Sequence, residues 1–525
     1  MERNVAAGEQ VGAAASRIVA YAVEHRIVEP GDERWAYNRL LECSGQTSPA
    51  PRDLSWAKAQ VLLDGYDFES DLSTLSDAAV ECGAAQDSAT GRDRISMRLM
   101  GSIMARPSEV TRRFRSIGSR EGALAATDWF YRLCCDVDYV RRSAIARNLK
   151  WSCPTQWGDL EITINKSKPE KDPRDIAAAA TASAGEKYPA CALCRENEGY
   201  GGRAASDAGG HAARQNLRII PIELGGEGWG FQYSPYAYFE EHCIVMSDEH
   251  RPMHVDRASL GCLLDFVGQF PHYFVGSNAD LPIVGGSILS HDHFQGGRHV
   301  FAMARAEVAE PFEMDAHPGV EAGVLSWPLS VIRLRSADRD ELLGAAEHVL
   351  DVWRDWDDAS VGIVSHAADG TRHNTVTPIC RMWDGRFELD LALRCNVTTE
   401  EHPLGVFHPH ADKWHIKKEN IGLIEAMGLA ILPPRLEREI EAVRKRIVEG
   451  RLDGMEDDPL CAPHADWARR VAERRPELLG ASEDVSREAM RQEVGMVFCH
   501  VLEDAGVFKW DEAGRAALGR FLAAL

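Results

Sequence analysis

The chain has 525 residues, of which 45% are hydrophobic, and this suits a protein of several domains with real cores. Its 59 basic and 81 acidic side chains give a formal net charge of −22, which repels nucleic acid and anionic lipid surfaces. Composition thus argues against a general nucleic-acid or membrane binder. It also means that a site for an anionic substrate must carry its own cations or a metal ion.

Cysteine usage predicts a reducing compartment. The thirteen cysteines are an odd number spread from Cys43 to Cys499, without the dense, even framework of a small secreted domain. The N-terminus shows no basic region followed by an apolar run, and no apolar stretch reaches about 18 residues. We therefore expect a cytoplasmic protein without membrane segments.

The first part of the chain, residues 1–158, is predicted to be helical. Apolar residues recur at three- and four-residue steps, as in Ile18, Tyr21 and Ala22, and prolines interrupt the pattern. The charged clusters of this region are typical of solvated helix faces, and nothing in it indicates chemistry.

A change of pattern at Leu160 marks the start of a region rich in strands. Residues 160–165 alternate apolar and polar, and a turn-rich loop with Lys166, Lys168 and Lys171 follows. In so acidic a chain this loop is either an ordinary flexible surface loop or a segment that holds phosphate, since lysine supplies a mobile point charge.

Two groups of predicted strands come next, each with one helix. The first group lies between about residues 218 and 289 and contains a helix near 259–270. The second lies between about residues 323 and 394 and contains a helix at 340–353. The similar make-up of the two groups predicts one αβ unit that is used twice.

The fold class predicted from these elements is α+β, with mainly antiparallel sheets. We predict four regions. They are a helical N-terminal region at 1–158, two αβ domains at 159–315 and 316–434, and a helical C-terminal segment at 435–525.

The densest chemical signal is the run His291-Asp292-His293-Phe294-Gln295, which two glycines follow. Two histidines two positions apart at a strand end project from the same face. The run combines a candidate nucleophile, an amide donor and a flexible backbone. This combination favours a functional site over a buried structural histidine.

A candidate metal site lies upstream, at Cys191 and Cys194. A Cys-x-x-Cys pair is the commonest half of a tetrahedral zinc site, and the chain has no second such pair, so the remaining ligands must be histidines. His242, which opens an apolar strand, and His291 are the best placed. Two reduced, buried thiols without a metal are the alternative, because sequence does not show how ligands assemble.

Several further runs, together with these motifs, match one known family in chain order. They are residues 162–173, 188–199, 214–236, 241–245, 285–297, 373–379 and 407–434, with weaker helical similarity from about residue 18 to 150. On these runs the chain resembles the class II galactose-1-phosphate uridylyltransferases, members of the histidine-triad superfamily. The resemblance implies that both αβ domains are histidine-triad-like.

The resemblance also implies a reaction and the residues that carry it. UMP would pass from UDP-glucose to galactose 1-phosphate through a uridylyl-histidine, giving UDP-galactose and glucose 1-phosphate. The implied nucleophile is His293, with Gln295 as a donor to the phosphoryl group and His291 as its neighbour on the metal. The implied zinc ligands are Cys191, Cys194, His242 and His291.

Substrate contacts follow from the same resemblance. They are Lys168 and Lys171 for the diphosphate, Arg214, Asn216 and Asn278 for the nucleotide, and Lys417, Lys418 and Glu425 for the hexose phosphate. His408 and His410 echo the first histidine pair and are candidates for a second metal site. The family relation is also compatible with a homodimer.

Two other interpretations stay open at this point. One is a dinucleotide phosphorylase of the same superfamily, and the other is a non-catalytic sensor of nucleotide sugars. The intact pair of His293 and Gln295 argues against the sensor.

Overall fold

The computed structural model describes residues 2–167, 188–204, 210–286 and 288–525, apart from the side chains of residues 2–7. Within these residues, no helix combines the length and the apolar character needed to cross a membrane.

Eight helices make up the N-terminal part of the described chain. They are α1 (Glu2–Glu24), α2 (Glu33–Cys43), α3 (Leu54–Val61), α4 (Phe68–Glu81), α5 (Ala89–Ile103), α6 (Pro107–Glu121), α7 (Ala123–Asp136) and α8 (Arg142–Ala146). Ile18, Tyr21 and Ala22, which set the predicted helical pattern, are all buried in the core on one side of α1. The helical prediction for this region is therefore confirmed.

Within the described residues, ten antiparallel strands form one large sheet. In chain order they are β3 (Ile220–Leu224), β4 (Glu227–Tyr233), β5 (Cys243–Ser247), β6 (Phe274–Gly276), β7 (His293–Gly297), β8 (Val308–Phe312), β9 (Glu321–Leu325), β10 (Val331–Ser336), β11 (Asn374–Trp383) and β12 (Arg386–Cys395). Their order across the sheet is β3-β4-β5-β7-β6-β11-β12-β10-β9-β8.

This order shows that the sheet is built from one unit used twice. Each unit has three strands, then a helix, then two strands, and its last strand lies between the third and the fourth. The helices are α9 (Arg257–Gln269) and α11 (Arg339–Arg354). The two units meet where β6 pairs with β11, so that β7 and β12 are counterparts. The predicted α+β fold and its duplication are thus confirmed.

Side-chain caps fix where the two central helices begin. The Asp256 carboxylate accepts the backbone N–H of Ser259 at the start of α9, and the Asp338 carboxylate accepts those of Asp340 and Glu341 at the start of α11. Both helices bury their apolar faces in the same core as the first unit's Phe231 and the second unit's Leu391.

A smaller sheet joins the middle of the chain to its C-terminal part. It contains β1 (Leu149–Thr155), β2 (Gly158–Ile164) and β13 (Leu429–Leu432), with β13 parallel to β2. The remaining helices are α10 (Ala302–Arg305), α12 (Leu423–Ala426), α13 (Arg435–Val448), α14 (Ala465–Arg474), α15 (Glu483–Ala505) and α16 (Glu512–Leu522). α15 packs against β1 and β2 and contributes to a second core.

The predicted domain boundaries stay predictions. β2 runs across the boundary after residue 158, and β8 ends just before the boundary after residue 315 although it pairs with β9 of the second unit.

Candidate active site

β7 sends His293 and Gln295 to one face of the large sheet and Phe294 to the other, because side chains alternate along a strand. Phe294 stacks on Trp229, with ring centroids 4.8 Å apart, in the core that includes α9. Gly296 lets β7 approach β6, since a Cβ there would lie 2.4 Å from the carbonyl oxygen of Phe274. The side chains of His293 and Gln295 therefore project from the same face of the sheet, the face opposite α9.

The ring of His293 is held as a neutral base with a free Nε2. Its Nδ1–H donates to the carbonyl oxygen of His291 at 2.8 Å, and since a carbonyl only accepts, the proton lies on Nδ1. Burial lowers the pKa of His293 to about 4, so that the ring is neutral at pH 7. The lone pair is then on Nε2, which has no protein partner among the described residues.

His293 and Gln295 line a cavity of about 840 Å³, a volume in the range of small-molecule sites. One wall is the sheet face. The opposite wall comes from the segment between Lys417 and Pro434, which includes α12 and β13. The cavity thus lies between the first αβ unit and the chain that follows the second unit.

A buried lysine, Lys417, lies at the wall of this cavity opposite the sheet. The Lys417 ammonium lies 3.0 Å from Oε1 of Glu425, and both residues line the cavity. Burial opposes its charge, but Glu425 and Glu419 raise the pKa of Lys417 above the ordinary lysine value. The ammonium is therefore charged at neutral pH, in a place where a phosphate group could reach it.

Asn278 connects the two walls. Its Oδ1 accepts the backbone N–H of Leu423 at 2.9 Å, and its side chain lines the cavity. This contact satisfies the first free N–H of α12 and leaves the Asn278 amide NH₂ on the cavity side, near Gly286.

A compact group of two cysteines and two histidines lies beside the strand end. The ligand atoms of Cys191, Cys194, His250 and His291 all lie within 4.8 Å of one another. Cys191 Sγ is 3.2 Å from His291 Nδ1, and Cys194 Sγ is 3.1 Å from His250 Nδ1. Two sulfurs and two ring nitrogens around one centre are a donor set that fits a tetrahedral metal ion.

Neighbouring groups orient these ligands. Nε2–H of His291 donates to the carbonyl oxygen of Ser247 at 2.9 Å, which leaves Nδ1 as the ligand atom. The buried Asn197 amide donates to the carbonyl oxygens of Cys191 and Cys194 and so fixes the turn between the two thiols. These hydrogen bonds hold the ligand residues in the orientation that brings their sulfur and nitrogen atoms together.

The expectation that His242 completes this cluster is wrong, and the strand register explains why. Met246 lies opposite His293 and Cys243 opposite Gly296, so His242 is at the far end of β5. At about 3.3 Å per residue, that end is roughly 15–20 Å from His291. Instead, Nε2 of His242 lies 3.0 Å from Oε1 of Gln295.

His250 takes the fourth place because its loop is tied to the His291 segment. Asp292 donates its N–H to the carbonyl of Arg251 at 2.8 Å, and Ser247 donates its N–H to the carbonyl of Asp292 at 3.0 Å. The ring centroids of His250 and His291 lie 4.8 Å apart. The sequence signal was available, since His250 follows β5 at the end that pairs with His293.

Three other predicted substrate residues, Arg214, Asn216 and Lys418, are not among the residues that line the cavity. Arg214 donates to the carbonyl of Ala213, and the buried Asn216 amide donates to the carbonyl of Val137. The Lys418 ammonium lies over the ring of Trp414, 4.9 Å from its centroid. Lys168 and Lys171 fall outside the described residues.

The second histidine pair does not form a metal cluster within the part of the chain that the structure describes. Nε2 of His408 contacts Oδ1 of Asn420, whereas Nε2 of His410 contacts the carbonyl oxygen of Val406. The pair also follows β12, while His293 begins β7, so the two pairs are not equivalent positions of the duplicated unit. The two histidine pairs are therefore similar in sequence, but they do not occupy equivalent positions in the duplicated fold.

A buried neutral histidine that faces a small-molecule cavity beside a Cys₂His₂ cluster defines an enzyme site suited to group transfer. Comparison with known proteins also indicates a group-transfer enzyme. The family models for the N-terminal and C-terminal domains of galactose-1-phosphate uridyl transferase match residues 37–252 and 266–469. The chain belongs to the galactose-1-phosphate uridylyltransferase family.

Individual relatives match almost the whole chain. Galactose-1-phosphate uridylyltransferase of Bacillus subtilis (strain 168) is 45% identical over 508 residues, which are 96% of each chain. The protein of that name from Lacticaseibacillus casei is 50% identical over 456 residues, 87% of this chain and 90% of the relative. Among solved structures, yeast Ap4A phosphorylase Apa2 matches with a TM-score of 0.30 and 12% identity, over 62% of this chain and 92% of that one.

Proposed function

We propose that this enzyme moves UMP from UDP-glucose to galactose 1-phosphate through a covalent uridylyl-histidine. The observation that carries the proposal is the state of His293, a neutral ring whose Nδ1–H is held by a carbonyl and whose Nε2 is free at a cavity wall. Family membership supports the same reaction, since the relatives are named galactose-1-phosphate uridylyltransferases.

In the first half-reaction, Nε2 of His293 attacks the α-phosphorus of UDP-glucose. An N–P bond forms and the bond from phosphorus to the bridging oxygen breaks, so that glucose 1-phosphate leaves with that oxygen and its electron pair. The positive charge that develops on the ring is stabilised through Nδ1–H, which the carbonyl of His291 already accepts. The Gln295 amide, two positions along the same face, donates to a non-bridging oxygen of the phosphoryl group.

The second half-reaction reverses these steps with another sugar. A phosphate oxygen of galactose 1-phosphate attacks the uridylyl phosphorus, the N–P bond breaks, and UDP-galactose forms while His293 regains its lone pair. A phosphoramidate is labile enough for this return step, which is why one histidine serves both halves.

The anionic substrates require cations in a chain with a net charge of −22. We assign the phosphate of the hexose to Lys417, because its ammonium lies beside Glu425 and both residues line the cavity. Lys168 and Lys171 stay our candidates for the diphosphate, on resemblance alone. Asn278 is a candidate contact for the uridylyl group, because its amide NH₂ is on the cavity side.

Zinc is the ion that we propose for the Cys₂His₂ cluster, because two thiolates and two imidazoles suit it best among common metals. When bound, it supplies structural order, since protein ligands occupy all four positions. His291 would link the ion to the reaction, because its ring belongs to the cluster and its carbonyl oxygen accepts Nδ1–H of His293. A homodimer stays a prediction.

The direct test is isotope exchange without a second sugar. UDP-glucose is incubated with labelled glucose 1-phosphate, and a double-displacement enzyme moves the label into UDP-glucose in the absence of galactose 1-phosphate. We expect exchange by the wild type and by His254→Ala, which alters an exposed histidine, and none by His293→Ala. Binding of UDP-glucose without exchange would favour a sensor, and phosphate-dependent cleavage of diadenosine substrates would favour a phosphorylase.

A further inference from the structure

His242 is a buried histidine that the metal cluster does not use. Only 3% of its surface is exposed, and it lies immediately before β5. Its ring packs against Phe239 and Tyr238, with centroids 4.6 Å and 5.4 Å away, and its carbonyl accepts the N–H of Ser234 at 2.8 Å. The ring is therefore fixed in place, with Nε2 directed at Gln295.

The polarity of the contact between His242 and Gln295 follows from the other ring nitrogen. Nδ1 of His242 is buried and has no hydrogen-bond partner among the described residues. A buried N–H without an acceptor is less tolerable than a buried lone pair without a donor. The proton therefore lies on Nε2, which donates to Oε1 of Gln295 at 3.0 Å.

This polarity decides which end of the Gln295 amide meets the cavity. Oε1 of Gln295 accepts the hydrogen bond from His242, so the NH₂ group of the amide is available to donate to a ligand in the cavity. Gln295 lines the cavity two positions from His293 on the same face. A flipped amide would instead present an oxygen to the negatively charged phosphoryl group.

We propose that His242 is a positioning residue, which holds the Gln295 amide so that its NH₂ donates to a non-bridging phosphoryl oxygen when His293 attacks. This role rests on the proposed uridylyl transfer and extends it. A neutral ring suits the task, and burial lowers the pKa of His242 to about 4, so the donor keeps one form across the working pH range. No conformational search for the amide is then needed during the reaction.

The test compares variants that remove the donor with one that keeps it. His242→Phe preserves the packing on Phe239 but has no N–H, whereas His242→Gln can place an amide N–H near the position of Nε2. We expect His242→Phe to lower kcat of the exchange reaction about tenfold or more, with less than a twofold change in KM and unchanged metal content. We expect His242→Gln to recover at least a third of wild-type kcat.

A double-variant cycle separates positioning from a general structural effect. If His242 acts through Gln295, adding His242→Phe to Gln295→Ala lowers kcat less than twofold further, whereas independent roles multiply. Should His242→Phe not fold, His242→Met carries the same cycle. A wild-type kcat in the donor-free variant, or multiplied losses in the cycle, would overturn the positioning role while the exchange by the wild type still stands. An inactive wild type would overturn the proposed function itself.

Discussion

The carbonyl oxygen of His291 accepts Nδ1–H of His293 at 2.8 Å, while the ring of the same His291 lies 3.2 Å from the thiol sulfur of Cys191. One residue thus belongs both to the candidate metal cluster and to the hydrogen bond that fixes the histidine facing the cavity. Loss of the metal should therefore weaken the hydrogen bond that orients His293, although the metal cluster makes no direct contact with the substrate.

The first prediction concerns His250, the ligand that the structure adds to the cluster. We expect His250→Ala to hold less than about a fifth of the wild-type metal after dialysis and to exchange label at least about tenfold more slowly. Elemental analysis and the exchange assay are run on the same sample. His254→Ala, an exposed histidine four positions on, is the matched control and should keep both values. Full metal retention by His250→Ala would remove His250 from the cluster.

The second prediction separates two adjacent lysines. Lys417 is buried at the cavity wall and Lys418 lies over Trp414, so only the first should bind substrate phosphate. We expect Lys417→Met to raise KM for galactose 1-phosphate about tenfold, which corresponds to about 1.4 kcal/mol. Lys418→Met should change it less than twofold. The reverse pattern in steady-state kinetics would place the hexose phosphate elsewhere.

The third prediction is a pH dependence of stability. Burial lowers the pKa of His242 to about 4, below the ordinary histidine value of 6.5, so between these values the unfolded chain binds a proton that the native protein does not. The free energy of unfolding should therefore fall as the pH drops from about 6.5 towards 4, by about 1.4 kcal/mol per pH unit for this one group. Urea unfolding of His242→Phe should show a slope smaller by that amount. An unchanged slope would mean that His242 titrates normally in the native protein.

The fourth prediction concerns a buried ion-pair network in the second unit. Asp390 on β12 accepts Nε–H and Nη2–H of Arg333 at 2.7 Å and 2.8 Å, and it also accepts Arg381 at 2.6 Å; all three residues are buried. We expect Asp390→Asn to lower the free energy of unfolding by about 3–5 kcal/mol, because it leaves buried guanidinium charge uncompensated.

The control for this network is the exposed pair of Arg386 and Glu321 in the same part of the sheet. Arg386→Ala should cost less than about 1 kcal/mol in the same urea titration, because surface pairs are screened by water. Equal losses for the two variants would show that burial does not decide the effect.

Local pattern was enough for much of the fold. The helix expected at 259–270 is α9 (Arg257–Gln269), and the one expected at 340–353 is α11 (Arg339–Arg354). Apolar periodicity and capping residues are local signals, so both helices could be predicted from residues that are neighbours in the sequence. The joining of the two units through β6 and β11 could not, because nothing local encodes which strand edges meet.

In the site, too, some residues could be predicted from local sequence, whereas others depend on how the strands pair. His293, Gln295, Cys191 and Cys194 could be chosen from short motifs, and the structure brings them to one end of β7. The expectation of His242 as a ligand failed because the ligand set depends on which end of β5 faces His291. That is a matter of strand register, and a shift of a few residues moves a side chain by many ångströms.

Covalent capture tests the uridylyl-histidine intermediate most directly. The protein is incubated with UDP-glucose labelled in the uridine, isolated under alkaline conditions in which a phosphoramidate persists, and digested to locate the label. We expect close to one label per chain, on the peptide that contains His293, and none in His293→Ala. A label that persists in His293→Ala, or an active wild type that never becomes labelled, would contradict the proposed intermediate.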